Sequence, residues 1–136
     1  MQTFLPFPSF SESAKVLDSR RLGKQRVETF QILRALTDPT YGWQNHPAVK
    51  MWRGHVPALA LYGLAICSEW RARGFRDSCE AKILPFLSDG CSLPEWLGDE
   101  PFHASHRSNL LRKDPQHYGQ FNWTETPDLP YLWPIG

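Results

Sequence analysis

An excess of charge of either sign is nearly absent from this sequence: 15 Lys and Arg stand against 14 Asp and Glu, a net of +1. A globally basic nucleic-acid binder is thereby excluded, and any polyanion contact must come from a local patch. Cysteine is scarce as well. Cys67, Cys79 and Cys91 form no CxxC pair, and their odd number is a poor disulfide framework. Zinc sites use short local pairs, so no metal centre is expected. No apolar run reaches the ~20 residues of a membrane-spanning helix. The N-terminal MQTFLPFPSF lacks a basic n-region and is broken by Pro6 and Pro8, so it does not read as a secretory signal. A cytoplasmic, monomeric protein is the expectation. No P-loop, GxGxxG, HExxH or GxSxG occurs, which leaves NTP hydrolysis, hydride transfer and zincin chemistry without support, and no cofactor is expected.

What the sequence does have is aromatic and proline residues, with six Trp, eight Phe and twelve Pro in 136 residues. That combination fits one domain with well-packed irregular segments, or aromatic surfaces that hold something flat. Periodicity points to an all-α fold of three main helices with long ordered loops and an irregular aromatic tail. Residues 1–8 are expected to be extended, since each proline biases its predecessor away from helix. Ser9 and Glu12 have capping-box spacing, and a helix over 10–37 follows, ended by Asp38-Pro39. Pro47 suits the first position of a short helical turn. The next helix, 56–73, is apolar on several sides and should be central, with Gly74 as its C′ residue. A third helix over 77–87, interrupted at Pro85, a loop over 88–102 and a helix over 103–113 complete the expected order.

One stripe on the first helix stands out. At 3.6 residues per turn, Asp18, Arg21, Gln25 and Glu28 share a face, with Arg20, Lys24 and Arg26 around them. Such a stripe is either a buried ion-pair network or a ligand wall, in which arginines grip phosphates and a carboxylate moves protons. Two further groups carry charge of the same kind. His103, His106 and Arg107, with Lys113 beyond, form a helical cluster that suits phosphate contact or general acid work. NHPAVKMWRGH (45–55) places His46, Lys50 and Arg53 in one loop, a second candidate grip on phosphate. Trp43 or Trp52 stacks on a base or packs in the core.

Three segments in order, SRRLGKQR (19–26), WRGHVPALALYGLAICSEWRARGF (52–75) and FHASHRSNLLRKDPQHY (102–118), resemble the pyrimidine-dimer DNA glycosylases, the phage endonuclease V family. The resemblance implies a compact all-α domain spanning 1–136 that acts on damaged or modified, double-stranded DNA. Members flip a nucleotide, attack the sugar C1′ with the N-terminal α-amine and cleave the backbone through a Schiff base. A neutral amine is nucleophilic, and α-amines ordinarily titrate at about 8. Here Gln2 stands where the family has a small residue, which assigns the amine to Met1. Arg21 occupies the position matching the family's essential glutamate, so the carboxylate falls to Asp18 or Glu28. The resulting candidates are Met1, Asp18, Arg21, Gln25 and Glu28 for catalysis. Arg20, Lys24, Arg26, His46, Lys50, Arg53, His103, His106, Arg107 and Lys113 are the candidates for DNA contact. A non-catalytic DNA-binding protein and an enzyme on a small nucleotide-like anion are the alternatives.

Overall fold

Residues 1–8 run extended, and Ser9 then caps α1 (Phe10–Val16), its hydroxyl accepting from the Glu12 N–H at 3.2 Å. The computed structural model describes residues 1–90 and 92–135, so Cys91 lies outside the described residues. It corrects the expectation of one helix over 10–37. That helix stops at Leu17, which is extended, and restarts as α2 (Ser19–Thr37) with Asp18 as N-cap. The cause is 100 residues away: the Tyr118 hydroxyl accepts from the Asp18 N–H at 3.1 Å and donates to its carboxylate. Asp18 Oδ2 in turn accepts from the Arg21 N–H at 3.2 Å, so the side chain caps rather than continuing the face.

Downstream, Pro47 begins α3 (Pro47–Lys50) and Pro57 lies in the first turn of α4 (Val56–Ala72), which Gly74 closes with φ +93°. The expected helix over 77–87 is instead α5 (Glu80–Ile83) and a 3-10 turn, Leu84–Phe86. The Asp77 carboxylate accepts from the N–H groups of Cys79 and Glu80 and sets a late start, and Pro85 withdraws a donor at the other end. α6 (Glu100–Lys113) begins three residues before its expected start because Pro101 suits its first turn. The tail holds α7 (Pro115–Tyr118) and a 3-10 turn, Gly119–Phe121, where regular structure was not expected. Among the described residues all regular structure is helical, and none of the helices is long and apolar enough to cross a membrane.

α4 is the central element, with Ala58, Leu59, Ala60, Tyr62, Ile66 and Cys67 all buried. It lies close against α2 because glycine sits at the crossing. A Cβ on Gly63 would come within 2.8 Å of Thr29 Cγ2, and one on Gly23 within 2.9 Å of the Trp70 ring. The extended N-terminal segment is buried too, with Thr3 and Leu5 at 0% exposure. An unpaired strand inside a helical protein must find partners for its backbone, and those partners build the site.

Candidate active site

Gln25, 1% exposed, uses its whole amide. Its Oε1 accepts from the Phe4 N–H at 3.0 Å and the Tyr62 hydroxyl at 2.6 Å. Its Nε2 donates to the Gln2 carbonyl at 2.8 Å and to Glu28 Oε2 at 3.2 Å. One side chain thus fixes the start of the chain to α2 and α4 with no amide valence unfilled. Glu28, one turn along α2, also accepts from the Gln2 N–H at 3.3 Å. A carboxylate is thereby set beside the first peptide unit.

The next residues of the segment are held from α6. The Leu5 N–H donates to His106 Nδ1 at 2.9 Å, and the Leu5 carbonyl lies 2.7 Å from His103 Nδ1. His103 Nε2 accepts from the Gly98 N–H at 2.9 Å, so the proton sits on Nδ1 and is given to Leu5. Arg107 donates to the Pro6 carbonyl at 2.7 Å and pairs with Glu100 and Glu125. Burial, with His103 adding to it, pushes the His106 imidazole down to about 3. Burial likewise lowers His103. The structure places His103, His106 and Arg107 against the N-terminal segment, where they position backbone.

Over that segment opens a cleft of about 390 Å³. Arg20, Arg21, Lys24, Gln25 and Glu28 line it from α2, Lys113 from the end of α6, and Met1, Gln2 and Phe4 from below. Tyr131 and Trp133 close it from the tail. Positive charge is in excess: burial first, and then Arg21, Arg112 and Lys24, hold the Lys113 ammonium below its ordinary range. Glu28 is the one acid among the described lining residues. Asp18 lies outside the cleft. Burial opposes its ionisation, but hydrogen bonds from Tyr118 and Arg21 outweigh that and leave its carboxyl below the usual range. Its charge is already matched by Arg21 at 3.2 Å.

The remaining candidates are dispersed. Arg26 pairs with Asp77 at 2.7 Å and lies 4.4 Å over the Trp70 ring, away from the cleft. His46 caps α3, accepting from the Ala48 N–H at 3.0 Å. Burial lowers its basicity, the N-terminal charge lowers it further and Glu28 partly restores it, so the ring lies within the field of the cleft. Lys50 and Arg53 line a separate hollow of about 300 Å³ with His55, Trp96 and Pro134. Sequence reasoning missed Gln2, Phe4, Tyr131 and Trp133 as lining residues. Gln2 and Phe4 carry no pattern beyond the two prolines after them, and the tail's one signal was its aromatic density.

Compared with known proteins, residues 1–83 match the family model described as pyrimidine dimer DNA glycosylase. The match takes in the N-terminal segment and α1 to α5, and stops before the 102–118 stretch. Neither the curated proteins nor the solved structures contain a match.

Proposed function

This chain belongs to the pyrimidine dimer DNA glycosylase family, and from that membership we propose that it excises a damaged or modified base from double-stranded DNA. We further propose that it cleaves the abasic site through the Met1 α-amine. One observation carries this reading: the Glu28 carboxylate sits 3.3 Å from the Gln2 N–H, at the start of the chain, in a cleft otherwise rich in cations.

The roles follow from position. Arg20, Arg21, Lys24 and Lys113 neutralise phosphates flanking the extruded nucleotide. The neutral Met1 amine gives its lone pair to C1′; the bond from C1′ to the base breaks, and the base leaves with that electron pair and takes up a proton. The amine nitrogen passes a proton to Glu28, which returns it to O4′ as the C1′–O4′ bond breaks, leaving a protonated imine at C1′. Loss of a C2′ proton then expels the 3′ phosphate by β-elimination. Gln25 holds Glu28 and the Gln2 carbonyl in place.

Borohydride reduction in the presence of abasic-site DNA tests this, with the N-terminus of the purified protein established by mass spectrometry. An adduct on Met1 supports imine chemistry. Arg21 at the position of the family's glutamate favours a second reading, a DNA-binding protein without catalysis. Retained DNA binding with no adduct selects that reading. Loss of both points to a small anionic substrate, whose binding would depend only weakly on salt.

A further inference from the structure

The loop from α2 to α3 carries a side chain that the reaction above does not use. Trp43 is 55% exposed and sits in the left-handed region at φ 69°. Its neighbour Gly42, which would adopt that conformation freely, is not in it. The loop is braced rather than slack. Gln44 Nε2 donates to the carbonyls of Ala35, Asp38 and Tyr41 at 2.8, 3.0 and 2.9 Å, and Arg53 donates to the Gln44 carbonyl at 2.8 Å. The His46 N–H donates to the Trp43 carbonyl itself at 3.0 Å. A firmly held backbone therefore presents a large flat apolar group to solvent.

The indole stands beside the cleft. It meets the His46 ring edge-on at 5.8 Å, and His46 meets Trp133 edge-on at 6.2 Å. Trp133 lines the cleft. Two ring contacts span only a few nucleotides of a strand that advances about 3.4 Å per nucleotide. Lys50 and Arg53, which line the separate hollow next along the chain, provide charge for the phosphates that such a strand brings.

We propose that Trp43 is a wedge that enters the base stack next to the cleft and fills the space left when a nucleotide is extruded into it. The inference rests on the reading of the cleft as a DNA-glycosylase site. A flat side chain that replaces a lost stacking partner recovers part of the cost of unstacking, and it needs no sequence information. A wedge also has to be rigid before it meets DNA, which accounts for a tryptophan being held where a glycine would sit without strain.

The test uses a duplex with a non-cleavable tetrahydrofuran abasic analogue flanked by 2-aminopurine, and the same duplex without the lesion. For the wild-type protein, preferential binding to the lesion duplex with a change in 2-aminopurine fluorescence is expected. W43A should weaken lesion binding by roughly tenfold or more and abolish the fluorescence change, with lesion-free binding unaltered; W43F should restore most of both. W43G should raise the melting temperature while losing lesion preference, which a structural role for the indole would not produce. Wild-type lesion preference that survives intact in W43A and W43G overturns the wedge and leaves the glycosylase reading standing. A wild-type protein that binds neither duplex overturns both.

Discussion

The Tyr62 hydroxyl donates to Gln25 Oε1 at 2.6 Å and shares itself with the Phe4 carbonyl at 2.9 Å, so α2, α4 and the N-terminal segment meet at one buried point. Gln25→Leu would strand the Phe4 N–H and the Gln2 carbonyl in the interior. At about 1–3 kcal/mol for each buried group left unpaired, a loss of at least ~2 kcal/mol is expected. Tyr62→Phe should cost about 1–3 kcal/mol, since it strands the Phe4 carbonyl while Gln25 keeps its other three partners. Urea unfolding of both variants measures the difference.

Glu28→Gln separates chemistry from binding. The amide retains an acceptor for the Gln2 N–H, so stability should stay within about 1 kcal/mol of wild type. Removing the acid from a cationic cleft should leave DNA affinity equal or greater. The yield of borohydride-trapped adduct should fall by roughly a hundredfold or more, the usual contribution of a positioned proton acceptor. An unchanged yield would remove Glu28 from the reaction.

His106 gives the fold a defined response to acid. Its pKa is lowered in the folded protein from 6.5 to about 3 by burial, with His103, itself lowered, adding to it. The native state thus holds the neutral ring while the unfolded chain binds protons below 6.5, and stability is complete above that value and declines as pH falls through it. The expected slope approaches 1.4 kcal/mol per pH unit, about the value of one proton bound only by the unfolded chain. Asp18, lowered from 3.8, loses its contribution only at more acid pH. His106→Asn, whose Oδ1 can accept from Leu5, should make the urea midpoint fall less between about pH 6.5 and about pH 5, leaving the part due to His103 and His46, both also lowered.

Arg26 and Lys24, two positions apart on α2, should behave in opposite ways. Arg26→Ala leaves the Asp77 carboxylate, 0% exposed, without its cation, and breaking such a pair costs about 3–5 kcal/mol. DNA affinity per folded molecule should not change. Lys24 is exposed at the cleft, so Lys24→Ala should alter stability by no more than about 0.5 kcal/mol. The slope of log affinity against log salt should become shallower by about 1. Paired melting curves and salt titrations decide it.

Local signals in the sequence located the parts of the fold that local chemistry determines. The Ser9 cap, Pro47 and Pro57 in first turns, Gly74 as a helix stop and the apolar breadth of α4 all depend on neighbours within a turn or two. The same holds for Arg21, Gln25 and Glu28 sharing a wall, which follows from helical spacing alone. The break at Leu17–Asp18 was not legible because Tyr118, which fixes it, acts from the far end of the chain. The density of polar groups in HASHR was legible, but its use was not: an extended segment needing hydrogen bonds inside a helical core leaves no periodic trace. Tyr131 and Trp133 belong to a tail without repeat, and only packing brings them over the cleft.

The threading of residues 1–8 has a consequence for how the protein is made. Leu5 and His106 are separated by 101 positions, and Leu5 and His103 by 98. On the ribosome the front of the chain emerges first, yet its seat is incomplete until α6 has been synthesised and has left the exit tunnel. Closing so long a loop comes late in folding. Through most of synthesis the two ends of the seat are apart. A chain that has not yet reached α6 therefore has the Gln25 and Glu28 side of the site and lacks the histidine side, so the geometry at residues 1–8 is available only once α6 is in place.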